Sequence, residues 1–498
     1  MLNLLDSASH LASALRRRQF SARHLLAAVL DAIERLNPAL NAVVHLDAAS
    51  AWRAAAASDE RIACGEAGPF EGLPITIKDC FEVAGMPATA GAPALRDYIP
   101  AEDAPVVARL RRAGANIIGK SNVPIFAGDF QTYNKIYGTT SNPWNTSYSP
   151  GGSSGGAAAA VAAGISALEI GSDMAGSIRW PAHCCGISGL MATRGLVPPD
   201  GHIPPVSDLH LGRNLRLLGI GPLARSAADL ALALDVIGAP ERAGSAQALP
   251  PVSENWPKGL RVALWLHEAL APVDASVEEA VRRAALLLQD AGACVSDTAR
   301  PTFSFEEAFE VTATLIHALV GAGLPEKIRQ HLALTGHEFL PGDLSHRALQ
   351  ARGLNLTPAG LDALLTRRQS LCGKWARFFK DTDVVLCPPA PVGPVSQDHG
   401  PDLHARLIHV NGEPRPYYDL MTWACLATSA GLPAAVAPVM LGPDGLPRGV
   451  QIIAATGMDR IAIACAHLFE ALGACAGAPP AAASPAIKRH MPQARNFL

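Results

Sequence analysis

The 498-residue sequence has few charged residues, only eight lysines and no long uninterrupted apolar run. Charged side chains make up 17% of the chain and the net charge is −3, so it lacks the concentrated basic surface that nucleic-acid binding requires. The longest apolar stretches lie at 155–168 and 423–441. The first is too short to span a bilayer and the second is interrupted by glycine and proline, which argues against a membrane protein.

Metal-binding patterns are also missing. The ten cysteines include no C-x-x-C pair, and most lie in apolar runs, where a free thiol behaves as a small hydrophobic group. The histidines show no H-E-x-x-H or other metal spacing. At the N-terminus the positive charges follow the apolar residues, which is the wrong order for a secretory signal. We therefore expect a cytoplasmic protein without a metal site.

Hydrophobic residues make up 49% of the chain, which is enough for a large buried core. Short apolar strand patterns alternate with helical patterns along most of the sequence. Examples are a helix that begins after Ser21, a buried strand at 73–77 and a helix and strand within 157–171. This alternation predicts an α/β fold: one large domain with a central mixed, mostly parallel, twisted sheet covered by helices on both faces.

The most unusual composition is the segment 151–156, which reads GGSSGG. A phosphate-binding loop would continue with Lys and Ser or Thr, whereas two alanines follow here. The segment also satisfies G-x-S-x-G with Ser153 at its centre, the pattern of a nucleophile on a sharp turn between a strand and a helix. The residues alone leave a flexible turn, a catalytic loop and a phosphate loop open.

Two further features are suited to catalysis. Residues 171–179 (GSDMAGSIR) follow a predicted strand, and their small side chains let several backbone N–H groups converge on a developing oxyanion. A purely structural turn would look similar. Lys78 ends an apolar strand, and because burial disfavours its charged form it can serve as a neutral base. The alternative is a lysine that extends from the strand end into solvent.

Taken together, these features resemble the amidase signature family. Ser177 lies 24 residues after Ser153 within G-S-D-x-A-G-S-I-R-x-P, and the segment 72–79 (GLPITIKD) is similar to that family's lysine strand. Other blocks similar to the family lie at 119–124, 141–145, 221–225, 430–433 and 445–451. The resemblance extends over about residues 5–240 and 380–475, and it implies that family's fold.

The resemblance implies a catalytic triad in which Ser177 is the nucleophile, Ser153 the bridging serine and Lys78 the base. It also implies a cis peptide bond between Gly152 and Ser153. The remaining residues that it assigns are Met174, Ala175 and Gly176 as oxyanion donors together with the N–H of Ser177, Ala127, Gly128 and Asp129 in the acyl pocket, and Asp173, Arg179 and Ser154 as structural support. A surface position for Arg179 is the alternative.

The resemblance also organises the chain into a domain at 1–475 and a tail at 476–498. The core of the domain covers 60–240 and 380–475, and a helical insertion at about 302–375 lies over the active site. Glu169 stands where the family has a small residue, so we expect it to pair with an arginine or face solvent. We interpret His183 and the pair Cys184–Cys185 as core packing.

The implied activity is hydrolysis of a non-peptide carboxylic amide C–N bond through an acyl-enzyme on Ser177, without a cofactor. The insertion contains the apolar and aromatic residues Phe303, Phe305, Phe309, Leu315, His317 and Leu319. An apolar pocket wall favours hydrophobic or aryl amides, anilides or carbamates over small polar amides. The alternative function is the glutaminase or amidase subunit of an amidotransferase complex. We expect a small-molecule amide as the binding partner and expect neither nucleic acid nor a membrane. The sequence leaves open whether the chain forms a homodimer.

Overall fold

A computed structural model describes residues 2–203, 217–238, 256–322, 329–330, 339–340, 342–474 and 476–480. The strands are β1 (Val43–Leu46), β2 (Pro74–Lys78), β3 (Asn116–Ser121), β4 (Tyr133–Asn134), β5 (Gly138–Thr139), β6 (Leu168–Asp173), β7 (Ser188–Met191), β8 (Gly219–Ala224), β9 (Arg261–Leu264), β10 (Cys294–Ser296), β11 (Val384–Cys387), β12 (Leu407–Val410), β13 (Glu413–Pro416), β14 (Ala434–Leu441) and β15 (Pro447–Ala454).

The α-helices cover Ala8–Arg16, Ala22–Leu40, Ala48–Cys64, Pro105–Arg112, Gly155–Ala162, Arg179–Cys185, Ala227–Ile237, Ala275–Asp290, Phe305–Ala322, His346–Leu354, Pro358–Phe378, Ala424–Ala430 and Asp459–Ala471. Several begin where the sequence predicts. The Ser21 hydroxyl, for example, accepts the His24 N–H at 3.0 Å and so caps its helix. None of the helices in the described parts of the chain is both long and apolar enough to cross a membrane.

The central sheet has eight strands in the order β10-β9-β11-β15-β14-β7-β8-β6, which confirms a mixed α/β fold. The expectation that this sheet is mostly parallel is wrong. Only β9 pairs in parallel, with β10 and β11, and the other five neighbouring pairs are antiparallel. The reason is visible at β6 and β7, which follow each other through a helix and run in the same direction. The strand β8 lies between them and opposes both.

Helices cover both faces of this sheet, as the sequence predicts. Along β11, Val384 and Leu386 belong to one hydrophobic cluster, and Val385 and Cys387 belong to the other. Alternate side chains of a strand point to opposite faces, so these two clusters lie on the two sides of the sheet. Burial on both faces also explains why the strand reads as a continuous apolar run.

A second, smaller sheet positions the lysine strand. Its order is β1-β3-β2, and β2 runs parallel to β3 with Lys78 opposite Ser121. The backbone N–H of Thr76 on β2 donates to the Ser166 hydroxyl at 3.0 Å, just before β6. This bond holds β2 beside the start of β6.

In the described residues of the segment predicted as a helical insertion, helices cover Phe305–Ala322, His346–Leu354 and Pro358–Phe378. Most of the segment's aromatic residues pack in the hydrophobic core and do not form the wall of an open pocket. The side chains of Phe303, Phe305, Phe309, Leu315 and His317 are all buried. The ring of Phe305 packs against Trp423 with centroids 5.2 Å apart. Most of the predicted tail, from residue 481 onward, lies outside the described residues.

Candidate active site

Three segments that are distant in sequence meet beside the ends of β2 and β6. The side-chain nitrogen Nζ of Lys78 lies 2.8 Å from the Ser153 hydroxyl oxygen, so the end of β2 contacts the loop 151–156. The backbone N–H of Ser154 donates to the Ser177 carbonyl oxygen at 3.1 Å, which joins this loop to the segment after β6. The structure thus brings Lys78, Ser153 and Ser177 into one site.

The loop 151–156 is held by close backbone contacts. The peptide bond between Gly152 and Ser153 is cis. A Cβ atom added to Gly152 would lie 2.5 Å from the Asp129 carbonyl oxygen, so only glycine fits this approach. Residues 149–153 form no strand, and the helix begins at Gly155. The turn between a strand and a helix that the G-x-S-x-G pattern requires is therefore not present here.

Lys78 is completely buried, which excludes the alternative of a solvent-directed lysine. Its Nζ also lies 2.9 Å from the Ser172 hydroxyl oxygen and 3.5 Å from the Ser172 carbonyl oxygen. No carboxylate among the described residues forms an ion pair with it. Burial lowers the pKa of Lys78, against weaker opposing effects of Cys80, Asp173 and Glu169. Compared with a lysine in water, Lys78 is therefore shifted toward the neutral amine, which can accept a proton.

Lys120 on the neighbouring strand β3 is buried to the same extent but has a different environment. Its Nζ forms an ion pair with Asp79 at 3.4 Å and donates to the carbonyl oxygens of Phe81 and Pro87 at 2.8 Å. Burial lowers the pKa of Lys120 as well, but the Asp79 carboxylate opposes this shift, and these contacts stabilise a charged ammonium group. The contrast makes Lys78 the buried lysine suited to base chemistry and Lys120 the one suited to structure.

The Asp173 carboxylate organises the segment that carries Ser177. It accepts the backbone N–H groups of Gly176, Ile178 and Arg179, and the Arg179 guanidinium donates to both of its oxygens. Burial alone would raise the pKa of Asp173, but the guanidinium and the backbone donors hold this pKa below its ordinary value. The carboxylate therefore fixes the backbone around Ser177 while it stays ionised.

This arrangement changes the set of free donors beside Ser177. Gly176 was expected to offer its N–H to an oxyanion, but this N–H donates to Asp173 at 2.8 Å. The N–H groups of Met174, Ala175 and Ser177 have no partner among the described residues. Gly176 itself has φ of 109°, in the region that favours glycine.

Arg179 is fully buried, so the alternative surface position does not apply. Besides Asp173, its guanidinium donates to the Ala424 carbonyl oxygen at 2.8 Å, to Gln451 Oε1 at 2.6 Å and to the Thr428 hydroxyl at 3.1 Å. These contacts fasten the Ser177 segment to the helix Ala424–Ala430 and to β15.

The predicted acyl-pocket residues follow an exposed apolar turn. The side chains of Ile125 and Phe126 are 50% and 37% exposed, and Ala127 and Gly128 come next. The Asp129 carboxylate is occupied, because it accepts from Arg406 at 3.0 Å, from the Tyr133 hydroxyl at 3.0 Å and from the Tyr417 hydroxyl at 2.6 Å. Asp129 therefore approaches the site through its backbone, against Gly152.

Two expectations about residues near the site have opposite outcomes. Glu169 is fully buried and accepts the Thr76 hydroxyl at 2.5 Å, so the expectation that it pairs with an arginine or faces solvent is wrong. His183, Cys184 and Cys185 are buried in the core, as predicted. His183 accepts the Gly449 N–H at 3.0 Å, and burial lowers the pKa of His183 to about 3.

The burial of Glu169 predicts a pH-dependent cost in stability. Burial raises the pKa of Glu169 from its ordinary value of 4.5 to about 7, so between these values the folded chain keeps a proton that the unfolded chain releases. Stability therefore falls as the pH rises through this range. Glu169→Gln stays neutral at every pH. Its free energy of unfolding, relative to that of the unsubstituted protein, should therefore rise by about 2 kcal/mol between pH 5.5 and pH 8.

Urea unfolding of both proteins at the two pH values measures this difference. Glu66→Gln, at an exposed position, is the matched control and should show no such gain. A difference between Glu169→Gln and the unsubstituted protein that is the same at both pH values would contradict the prediction.

The sequence did not point to two residues near Lys78: Ser172, which contacts Lys78, and His202, which contacts Ser172. Ser172 lies inside the G-S-D motif, so its position was visible but its contact with Lys78 was not. His202 lies 2.8 Å from the Ser172 hydroxyl through its Nε2 atom. No spacing in the sequence connects His202 with residues 78 or 172, and only the fold brings them together.

Comparison with known families and structures agrees with this fold. The sequence model of the family described as Amidase matches residues 24–461, which is most of the chain. The chain therefore belongs to the amidase family, the amidase signature enzymes, and it is an amide hydrolase.

Its relatives include enzymes with different roles. The indoleacetamide hydrolase of Bradyrhizobium diazoefficiens is 34% identical over 469 residues, covering 93% of this chain and 86% of that protein. One of the subunits of the glutamyl-tRNA(Gln) amidotransferase of Chloroflexus aggregans is 34% identical over 478 residues, covering 90% of this chain and 92% of that protein. The crystal structure of a bacterial aryl acylamidase superposes with a TM-score of 0.77 at 26% identity, covering 97% of this chain and 99% of that one.

Proposed function

We propose that this amidase cleaves its substrate through an acyl-enzyme on Ser177, with Ser153 as the bridging serine and Lys78 as the base. The observation that carries the proposal is the 2.8 Å contact between the Ser153 hydroxyl and Nζ of Lys78, which is fully buried and has no acidic partner among the described residues. A neutral amine in hydrogen-bond contact with a hydroxyl is the arrangement that general-base catalysis needs.

The proposed reaction has two balanced halves. Ser177 oxygen bonds to the amide carbonyl carbon as its proton passes to Ser153, whose own proton passes to Lys78. The C–N bond then breaks, and the proton returns through Ser153 to the leaving nitrogen, which departs as the free amine. Water attacks the resulting ester by the same proton route, which releases the carboxylic acid and restores the Ser177 hydroxyl.

We assign the oxyanion to the N–H groups of Met174, Ala175 and Ser177. Their lack of partners in the described part of the chain supports this choice, since a free donor loses no existing hydrogen bond when the oxyanion forms. Gly176 belongs to the same segment but gives its N–H to Asp173.

The supporting contacts of the proposed site come from Asp173, Arg179 and Ser154. The ion pair of Asp173 and Arg179 lies within the Ser177 segment, and the Ser154 N–H holds the Ser177 carbonyl. We propose that these contacts fix the nucleophile relative to the base.

For the substrate we propose a hydrophobic or aryl amide, an anilide or a carbamate. The exposed side chains of Ile125 and Phe126 precede the proposed pocket residues Ala127 and Gly128, and they offer apolar surface to an acyl group. Asp129, with its carboxylate occupied, would contribute backbone only. The names of an indoleacetamide hydrolase and an aryl acylamidase among the similar proteins agree with a substrate that carries a ring.

A comparison of two leaving amines on one arylacetyl group tests this proposal, using purified protein alone and Ser177→Ala as the blank. Cleavage of the p-nitroanilide supports the aryl-amide proposal and makes carbamates the next substrates. Release of ammonia from the primary amide without anilide cleavage indicates a narrower primary-amide hydrolase. If neither the anilide nor the primary amide is cleaved, the second candidate function is favoured, a component of an amidotransferase complex. The 34% identity to such a component motivates this candidate.

We also propose a cytoplasmic location and a single domain over residues 1–475 with the helices of 302–375 as an insertion. The nine cysteines in the described part of the chain are free thiols, which suits a reducing compartment. A small-molecule amide is the only partner that the proposed reaction needs, and a homodimer is compatible with it.

A further inference from the structure

Beyond the triad, we propose that His202 is a positioning residue that directs the lone pair of Lys78 toward Ser153 by acting through Ser172. The proposal rests on the proposed function of Lys78 as the base. It adds a reason why the lone pair of this lysine, which has several hydrogen-bonding neighbours, is available to Ser153 rather than to another hydroxyl.

The Ser172 hydroxyl lies between the lysine and the histidine. Its Oγ is 2.9 Å from Lys78 Nζ and 2.8 Å from His202 Nε2, and the Ser172 side chain is buried. Among the described residues, its one other neighbour at hydrogen-bonding range is the Cys80 thiol, at 3.9 Å. A thiol is a weak acceptor, so His202 is the strong acceptor available to this hydroxyl.

The backbone holds His202 in this place. The segment 201–203 lies alongside 80–82, which directly follows Lys78. Glu82 N–H donates to the Gly201 carbonyl at 2.9 Å, and Ile203 N–H donates to the Cys80 carbonyl at 2.7 Å. The His202 ring also packs edge-on against Phe81, with centroids 5.0 Å apart. The imidazole is therefore positioned by the same segment that carries the lysine.

The count of donors and acceptors shows why this position matters. A neutral lysine has two N–H donors and one lone pair. The Ser172 carbonyl can only accept, whereas the Ser172 hydroxyl has one proton to donate, either to the Lys78 lone pair or to His202. In the first case the lone pair is occupied and cannot receive the Ser153 proton. In the second case both Lys78 N–H groups point to Ser172, and the lone pair is left for Ser153.

The surroundings of His202 allow the second case. Burial, with a smaller effect of Lys78, lowers the pKa of His202 to about 3, so the ring is neutral and one of its nitrogens is an acceptor. Lys78 is the titratable group that faces it, and Cys80, Asp173 and Glu169 are the other titratable groups around that lysine. With its proton on Nδ1, His202 accepts from Ser172 through Nε2.

The test is a double-mutant cycle on the full-length enzyme with the variants His202→Phe, Ser172→Ala and their combination. His202→Phe keeps a ring against Phe81 but removes the acceptor. We expect kcat to fall about 10-fold or more, as part of the general-base contribution, while KM stays unchanged. In the Ser172→Ala background the same change should have almost no effect, because the hydroxyl that blocks the lone pair is gone.

Two more measurements distinguish a positioning role of His202 from a role in packing alone. In His202→Phe the Ser172 hydroxyl donates to the neutral Lys78 and stabilises it, so the acid limb of kcat/KM should move to lower pH while the plateau falls. His202→Gln, whose amide oxygen can accept in place of Nε2, should recover most of the rate. His202→Leu is a second variant without an acceptor. His24→Phe is the matched control, since His24 is exposed and contacts Phe20 edge-on, and its activity should not change.

Additive effects of His202→Phe and Ser172→Ala would overturn the proposal, as would a His202→Gln variant no more active than His202→Phe or His202→Leu. The assignment of Lys78 is tested separately with Lys78→Met. If Lys78→Met keeps its rate, the proposed function fails. If Lys78→Met is inactive and the cycle is additive, only the role of His202 fails.

Discussion

Replacing Ser177 by alanine is expected to reduce amide turnover to the background rate, a loss of at least about 10⁴-fold. The alanine has no oxygen to form the proposed acyl-enzyme. The variant should fold normally, because in the described part of the chain the Ser177 side chain has no hydrogen-bond partner and is partly exposed. Hydrolysis of the best substrate from the leaving-amine comparison measures the loss.

Intact-protein and peptide mass spectrometry with a fluorophosphonate complete this test. The reagent should add its mass at Ser177 in the unsubstituted protein and nowhere in Ser177→Ala. Ser147→Ala, at an exposed serine, is the matched control and should keep full activity. Labelling at Ser153 in the unsubstituted protein would mean that Ser153 is the nucleophile and that the order of the triad is different.

Replacing Lys78 by methionine should separate activity from stability. We expect turnover to fall by at least about 10²-fold, the usual scale for loss of a general base. The free energy of unfolding should rise by about 1 kcal/mol, because methionine removes an amine that must lose its proton or its hydration on burial. In the unsubstituted protein the rate should rise with pH and be lost as the pH falls, since only neutral Lys78 can accept the proton.

Lys120→Met is the matched variant on the neighbouring strand. It leaves the buried Asp79 without its ion-pair partner, so urea unfolding should show a loss of about 3 kcal/mol or more. The two substitutions are chemically identical, and their effects on stability should have opposite signs. If Lys78→Met kept near-full activity at neutral pH, another group would have to be the base.

The local elements could largely be predicted from the sequence, because apolar periodicity and caps act over short distances. The strand predicted at 73–77 is Pro74–Lys78, and the helix predicted after Ser21 begins at Ala22. The neighbours within the sheet could not be predicted. Helix–strand alternation gives the direction of successive strands, but whether a third strand enters between them depends on packing over the whole chain.

The candidate site was predictable where its residues belong to one motif and not where distant segments meet. Ser153 and Ser177 could be assigned to one site because the segments that carry them resemble the signature of the amidase family. The Asp129 carboxylate, by contrast, is occupied by Arg406 and Tyr417, more than 270 residues away in sequence, so its lack of a free oxygen could not be foreseen. The same applies to His202, whose position depends on the backbone contacts of 201–203 with 80–82.

The low lysine content and the burial of Lys78 and Lys120 have a practical consequence for handling this enzyme. Among the described residues, Lys135, Lys258 and Lys380 are the exposed lysines, and Lys374 is partly covered beside Glu307. Reagents that attack amines, such as activated resins or succinimidyl dyes, therefore react with these exposed lysines and do not reach the buried Lys78 and Lys120. Attachment through these exposed lysines would leave the side-chain nitrogen of Lys78, the proposed base, unmodified.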